Sequence, residues 1–576
     1  MQKSSVLSQF KIGLKNSLSV IFFALSFGYI SPANAVVDMK NAAYVDQFLD
    51  LTLPGSTAYD LRVTRTYSSR FNFTGILGYG WCTDFETSIE KTAEGSIKLQ
   101  VCGAGQETVF INGNSEGSKK VVEQILERVK KEKPSSIATP QYIADLRAQL
   151  LANASQRLQL AKQVGIAIPE IKKGVTYLSE TSETDKITFD GTYYIRTLTD
   201  GTQQKFDNNG RLTFMYDKNA NYLKLVYQGD QLKEVQDSTN RKLTFTYKNK
   251  RVSEIVGPNV NGEKIRAIYE YRGEDLVKVN NRWGNDYVYE YDDVHNLTKI
   301  VFPDKSFKAL SYDKKNAWVM SFADRTPKGG VPCLESYTYE VDKNDPRDHF
   351  WSTATKKCGK EITNQARFEF WHKKRADGRK YLARALTRTN SESLDVVYHP
   401  DFGRPTTIRR NGNVTNFAYY PNGLIREKST DNVHMSFEYK NQFNKVSKVA
   451  TEFYSPDGKK LERKRDTVFT YDGKANLVAA ANTDGQHVKL SYDSKGRIAT
   501  IIDQAKKEVL IKYDEKFSKP SVITRPQLGS INVSYKSNGE IEKVGSKDGP
   551  SVAMQVASTF NNLLELIAPA TSELSL

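Results

Sequence analysis

A tyrosine that returns roughly every 20 residues, closing one apolar run and opening a turn, restricts this chain more than any other feature. Near the C-terminal end, Tyr471-Asp472, Tyr492-Asp493 and Tyr513-Asp514 are evenly spaced, and Tyr535-Lys536 follows at almost the same interval. Apolar residues alternate before each Tyr, as in Val488, Leu490 and Tyr492. A Gly or Asn follows within a few residues, then another apolar run. The pattern predicts strand, turn, strand, with one face of each strand turned inward. The Asp is placed to accept bonds from the amides of its own turn. Positive φ is expected at Gly423, Asn476, Gly496 and Gly539. No single repeat can bury its own apolar face, so stability has to come from stacking on neighbours. A long antiparallel sheet of this kind has to curl, because strands twist and bare edges need protection.

Bulk properties agree. The 576 residues exceed one compact core. A hydrophobic content of 39%, with 31 Tyr and 27 Phe, favours strands over long buried helices. Residues 1–35 read as a secretory signal. Lys3, Lys11 and Lys15 supply its positive end, and Leu18 to Ile30 is an apolar stretch too short to span a bilayer. Ala33-Asn34-Ala35 fits a small-residue cleavage site. The alternative for this segment is an uncleaved anchor. The expectation is an exported chain in the periplasm, at the cell surface or in the medium, with no transmembrane span once the signal is removed. Removal lowers the net charge from +16 to +13, since it takes three Lys and no carboxylate. A basic surface attracts anionic polymers such as cell-surface polysaccharide. Lys on exposed strands also guards against edge-to-edge aggregation. The lysines are spread rather than clustered, and no nucleic-acid partner is expected.

Residues 36–112 read as short strands and turns. Residues 113–175 read as a helical hairpin inserted into a β protein. Val121, Val122, Ile125, Leu126 and Val129 fall on one helical face. Thr139 as N-cap and Pro140 at the first position announce a second helix with the stripe Ile143, Leu146, Leu150, Ala154, Leu158 and Ala161. The pair is expected either to cover an open end of the β structure or to serve as a partner-binding arm. Repeats occupy 176–545. Phe206-Asp207 opens the series, and Tyr216-Asp217, Tyr247, Tyr271, Tyr291-Asp292 and Tyr312-Asp313 continue it. An irregular stretch spans about 325–395, after which Tyr398, Tyr420 and Tyr439 resume the pattern. In the tail, 546–576, Val552, Val556, Phe560, Leu563 and Ile567 repeat at helical spacing. That helix is expected either to plug the β structure or to dock on a partner.

Chemistry is sparse. The six histidines are scattered, with no Ser, Cys or carboxylate at a motif spacing. There is no phosphate loop, zincin motif or nucleophile elbow. No catalytic, cofactor-binding or metal-binding residue is assigned. The recurring Asp residues already have a turn role. Trp283, Trp318, Trp351 and Trp371 are the better candidates for stacking on sugar rings, with Trp81 beside them. The four cysteines fall in two distant neighbourhoods, Cys82 with Cys102 and Cys333 with Cys358, and local pairing is the best of three connectivities. A zinc site is not expected, for want of Cys-x-x-Cys spacing.

Tyr-Asp followed by Gly or Asn and an apolar strand resembles the YD repeat of Rhs proteins. Leu51-Thr52-Leu53-Pro54-Gly55, then Arg65-Thr66-Tyr67-Ser68-Ser69-Arg70, then Gly75-Ile76-Leu77-Gly78-Tyr79-Gly80-Trp81 resembles the opening of those proteins. The resemblance covers about 40–112 and 176–545 and implies a hollow, spiralling β shell around a cargo. In toxin members the cargo is a C-terminal domain freed at an Asp-Pro-x-Gly-Leu segment. Here the sole Asp-Pro is Asp345-Pro346, followed by Arg347 and Asp348. About 30 residues follow the last repeat, below the size of a domain. Neither self-cleavage nor a built-in toxin is therefore expected. The fold expected is mainly β: a long antiparallel YD-repeat sheet curling into a shell or barrel-like spiral, with a helical hairpin and a short C-terminal helix. The function expected is non-enzymatic: to enclose, scaffold or present a protein partner, or to bind an anionic surface polysaccharide. The alternatives are a toxin-delivery component with separately encoded cargo and a carbohydrate-active enzyme.

Non-reducing peptide mapping of the purified protein is expected to return Cys82–Cys102 and Cys333–Cys358 peptides. A peptide joining Cys82 to Cys358 would refute local pairing.

Overall fold

The computed structural model describes residues 36–567 except 54–59, 72, 102–106, 113–116, 133–138, 180–181, 199–200, 261–262, 328, 376–378, 516–518, 536–540, 550, 553, 557 and 559–565. The signal-like segment, Cys102, Gly539, Phe560 and Leu563 lie outside the described residues.

The chain is mainly β. Residues 36–83 form a small sheet of their own, from β1 (Val36–Asp38), β2 (Ala43–Leu53), β3 (Leu61–Ser68) and β6 (Trp81–Thr83), in that order. The hairpin β4 (Thr74–Gly75) and β5 (Gly78–Tyr79) accompanies it. Everything else that is extended belongs to one antiparallel sheet of 36 strands. It begins with β7 (Ser88–Lys91), β8 (Ile97–Gln100), β9 (Glu107–Ile111), β10 (Thr176–Ser179), β11 (Ser182–Phe189), β12 (Tyr194–Thr197), β13 (Gln203–Phe206), β14 (Leu212–Tyr216) and β15 (Tyr222–Gln228), and ends with Ile541–Gly545. The boundary expected at 112 thus falls inside one sheet. β9 pairs directly with β10, Ile111 opposite Leu178, so the helices interrupt a hairpin.

The repeat works through bulges. The register slips just before nearly every repeat Tyr, as between Thr470 and Tyr471, Ser491 and Tyr492, and Lys512 and Tyr513. A bulge bends its strand and strengthens the local twist. In the regular repeats the Tyr then donates its hydroxyl to a carbonyl at the start of the preceding strand, at one offset along the chain; Tyr271, Tyr339 and Tyr471 reach farther back, to Val252, Val319 and Val446. The bonds run Tyr492 to Leu477 at 2.8 Å, Tyr513 to Ile498 at 2.8 Å, and Tyr291 to Leu276 at 2.7 Å. Tyr227, Tyr247, Tyr312 and Tyr535 do the same. Burial pushes the Tyr492 and Tyr513 hydroxyls well above their ordinary pKa, so they stay protonated donors. The turn that follows is held by its Asp. Asp472 accepts from the amides of Lys474 and Asn476, and Asp493 from those of Lys495 and Arg497.

Two expectations need correction here. Positive φ falls on Ala475 (60°) rather than on Asn476, whose side chain instead donates to Asp472. Gly423 and Gly496, at 81° and 79°, behave as foreseen. Tyr216-Asp217 is not a counterpart of the later pairs. Its turn lies at the opposite end of the strands, and Tyr216 faces away from the core; the clamp of this repeat is Tyr227, which has no adjacent Asp.

The sheet is open: among the described residues no ladder joins its last strand to its first. It curls all the same. β7 returns to the turn after β13, where Ile89 donates to the Gly210 carbonyl at 2.9 Å and Ser88 bridges Arg211. Farther on, the 217–221 turn meets later repeats. Lys218 Nζ donates to the Ala475 carbonyl at 2.7 Å, and a Cβ on Gly496 would collide with the Asn219 side chain. From that turn to these, 21 to 23 strands intervene. One circuit of the spiral is therefore roughly 100 Å of sheet at the usual strand spacing.

Among its described residues the insertion holds three helices where two were expected: α1 (Ser118–Glu132), α2 (Pro140–Ala152) and α3 (Ala154–Gln163). The stripe from Ile143 to Ala161 breaks at Asn153, which leaves helical geometry (φ −127°, ψ 106°) and caps α3 by accepting from the Gln156 amide. Arg157 repairs the break by donating to the Leu150 carbonyl at 2.6 Å. It also pairs with buried Glu94 at 2.6 Å, fastening the helices to the turn between β7 and β8.

Removing one clamp hydroxyl, by Tyr492→Phe, is expected to lower stability by about 1–2 kcal/mol, because the Leu477 carbonyl loses its donor. Denaturant unfolding measures this. Tyr216→Phe, outside the clamp series, is expected to change it by less than about 0.5 kcal/mol.

Candidate functional site

The inner face of the curled sheet is the candidate site, because two separate parts of the chain are built to occupy it. The small sheet of residues 36–83 is the first. Its backbone meets strand starts and turns across a long span of the wall. Val319 donates to the Ala42 carbonyl, Arg282 to that of Asp50, Val252 to that of Ile76, and Tyr79 to that of Glu274. Trp81 Nε1 donates to the hydroxyl of the clamp residue Tyr291 at 2.9 Å. The small sheet is a plug, and it docks partly by recognising the clamps.

At its centre lies an ion pair with no solvent exposure, Arg65 Nε to Asp50 Oδ2 at 2.7 Å. Tyr269 donates to Asp50 at 3.1 Å, and Arg65 donates to the Tyr289 hydroxyl at 2.5 Å. The guanidinium carbon sits 4.5 Å from the Phe48 ring centroid, 4.7 Å from Trp81 and 5.0 Å from Tyr289. Burial disfavours the charge on Arg65, but the neighbouring Asp50 carboxylate outweighs it and the guanidinium pKa is raised. Nearby, Glu86 accepts from the amides of Ile76 and Thr83, yet burial pushes its pKa up to about 7.

The tail is the second occupant. Its described residues from 551 to 567 are helical, and Val556 and Ile567 are buried against Ile501, Ile511, Ile523 and Ile531. Beside Leu566 a cavity of about 230 Å³ is lined by Val433, Met435, Val449 and Phe453, with Arg465 at its side.

Between plug and tail the wall is bare among the described residues. The plug's core ends at Phe370 and the tail's begins at Phe437. The strands Ser393–Tyr398, Pro405–Arg410, Asn413–Tyr419 and Ile425–Ser429 lie between; most of their side chains are half-buried, and only Pro405 and Phe417 among them are buried. Register carries the inner face across them, from Ala385 to Val396 to Ile408 to Thr415.

The residues singled out from sequence scatter over this frame. Cys333 and Cys358 are bonded across adjacent strands, with Cα atoms 4.3 Å apart. Cys82 is also disulfide-bonded, to a partner outside the described residues. Asp217, Asp292, Asp472 and Asp493 hold turns. Asp313 closes a longer turn, its amide donating to the Trp318 carbonyl, and the Asp514 amide donates to that of Lys519. Trp81 is buried in the plug. Trp318 packs edge-on against Tyr339, and Trp283 lies beside Arg282. Trp351 and Trp371 face away from the core, engaged by Arg367 at 4.4 Å and Arg384 at 4.7 Å. Asp342 and Glu369 approach the same place, but His349 stands between them, 2.8 Å from each. Sequence reasoning missed Asp50 and the role of Arg65. A buried-pair signal was present only as an acid and a base on facing strands.

Residues 35–110 match a family described as "Domain of unknown function (DUF6531)", the stretch that carries the Rhs-like succession of signatures. No curated protein matches. Among solved structures, the crystal structure of TcdB2-TccC3-TEV is 13% identical over 88% of this chain and 31% of its own, with a TM-score of 0.33. TcdB2-TccC3 is 9% identical over 91% of this chain and 38% of its own, at 0.25. The Photorhabdus luminescens Tc holotoxin pore is 9% identical over 88% and 38%, at 0.18. The chain thus spans about a third of the length of these solved chains. No helix among the described residues is long and apolar enough to cross a membrane.

Arg65→Ala is expected to destabilise the protein by about 3–5 kcal/mol, because it leaves Asp50 buried and unpaired. Asp50→Asn with Arg65→Met is expected to recover a large part of that loss. Denaturant unfolding of the wild type and the two variants checks it, and a double variant no more stable than Arg65→Ala would show that the pair is not coupled.

Proposed function

We propose that this chain is an exported, non-enzymatic shell that holds a partner polypeptide against its inner wall. The observation that carries the reading is the bare wall between plug and tail. On either side of it the inner face is covered by the chain itself, and these four strands keep a half-exposed row of mixed apolar and polar residues.

Size decides what kind of partner fits. A circuit of roughly 100 Å encloses a space about 30 Å across between backbones, and packed layers stand about 10 Å apart. That holds the plug and one further layer. A folded domain of about 100 residues has a radius of gyration near 13 Å and does not fit beside the plug. The partner is therefore an extended or helical segment, or a domain resting at the rim with one segment inside. A narrower form of the reading, supported by the Rhs-like signatures, makes that partner a separately encoded toxin.

A photo-crosslinking residue at Ile408, which faces the bare wall, is expected to capture a defined polypeptide in the native cell. The same residue at Arg409, on the other face, is expected not to. Equal capture at both positions, or none at 408, would count against an enclosed partner.

A further inference from the structure

The face of the sheet turned away from plug and tail is mostly plain. In the regular repeats it carries residues such as Lys489, Ser491, Lys512 and Ser534. The strands β12–β15 break this habit. Register places Lys205 opposite Phe214 and Phe214 opposite Lys224, and places Gln203 opposite Tyr216 and Tyr216 opposite Tyr222. Residues directly opposite share a face. This face is the outer one, because Met215 pairs with core residue Leu223 on the other.

The result is a platform of alternating rings and cations. Lys205 Nζ lies 5.4 Å from the Tyr216 ring and 5.9 Å from that of Tyr193; Lys224 Nζ lies 5.8 Å from Phe214. Phe214 and Tyr222 are 6.3 Å apart. All four rings are half-buried, and Lys224 is exposed. Carboxylates on flanking strands are already engaged, Asp185 by Arg196 at 2.6 Å and Glu234 by Lys242 at 2.9 Å. Asp190, which feels the charge of Lys205, is occupied by the amides of Thr192 and Tyr193 in its own turn. The platform's lysines thus lie against rings rather than in ion pairs. The other outward aromatics, Trp351 and Trp371, differ, since guanidiniums sit closer over them and Glu369 and Asp395 lie among them.

We propose that the outward face of β12–β15 is a binding site for a carboxylated polysaccharide, its sugar rings on Phe214, Tyr216, Tyr222 and Tyr193 and its carboxylates on Lys205 and Lys224. Flat amphipathic rings suit the C–H face of a sugar. Ammonium groups on flexible stems leave loosely held rings for a carboxylate without breaking an ion pair. The strip spans three strand spacings, roughly 14 Å, which fits a short run of sugars. The site lies on the opposite face from the chamber, so it does not rest on the enclosed-partner reading.

Isothermal titration of the full chain with an oligogalacturonate tests it, with a neutral malto-oligosaccharide and a single-stranded oligonucleotide alongside. Saturable oligogalacturonate binding is expected, stronger than either control and weakened roughly tenfold or more by Tyr216→Ala with Tyr222→Ala, and likewise by Lys205→Ala with Lys224→Ala. Should the tyrosine variant fail to melt cooperatively, the lysine variant decides. Absence of oligogalacturonate binding, unchanged binding in the folded variants, or tighter binding of either control overturns the proposal.

Discussion

The bond from a repeat tyrosine to a carbonyl of the preceding strand is the contact on which the rest of the structure depends. A bulge leaves a backbone group off the ladder, and an unmet buried carbonyl costs about 1–3 kcal/mol. The tyrosine hydroxyl meets it without straightening the strand. The bends fall at one end of the strands, on alternate connections. Tyr291 to Leu276 and Tyr492 to Leu477 belong to distant parts of the chain and keep the same offset. Bends repeated at one end turn a flat sheet into a coil. The coil is what brings Lys218 back to Ala475, in a repeat far along the chain.

A coiled single sheet has an apolar inner face and no core of its own. The plug supplies one, and its docking is specified by polar groups as much as by area. Apolar contact alone would let a sheet slide along a ribbed wall. Asp50, Arg65, Tyr269 and Tyr289 form a buried set that makes its bonds in one register, with only Arg65 Nη1 left without a hydrogen-bond partner and held over aromatic rings, and Trp81 adds a bond to the clamp hydroxyl of Tyr291. Breaking such a set is costly even where its net contribution to stability is small, which is how buried charge secures a single arrangement.

What the sequence made legible was local. The period, the inward alternation of Val488, Leu490 and Tyr492, and the Asp-held turns all follow from contacts within about 20 residues. The errors came from reading spelling in place of geometry. Tyr216-Asp217 spells the motif but sits at the wrong end of its strand, while Tyr227-Gln228-Gly229-Asp230 lacks the spelling and makes the bond. The fixed offset from an apolar residue just past a turn, here Leu212, would have told them apart. Ala475 takes the left-handed position because the fourth residue of the turn needs it, whatever its identity; Asn476 is used for its side chain. Asn153 carried a visible signal, a capping residue in the middle of an apolar stripe. Arg65 did not, since Tyr289, which accepts from it, and Tyr269, which donates to its ion-pair partner Asp50, belong to distant strands and meet the pair only once the sheet has coiled.

The inward residues themselves record which parts of the wall are covered. Under the plug the wall presents Val279, Tyr289 and Ile300; under the tail it presents Ile501, Ile511, Ile523 and Ile531. On the bare strands Ile408 is followed across the register by Thr415, and Phe417 lies opposite Lys428. The plug-covered wall also carries an inward lysine, Lys308 opposite Ile300, but Asp46 of the plug pairs with it at 3.0 Å; Lys428 has no carboxylate partner among the described residues, which suits water or a polar surface beside it. The bare stretch therefore differs in leaving its inward lysine without an ion pair, and not merely in cover. On the proposed reading, that lysine is where the polar surface of an enclosed partner would meet the wall.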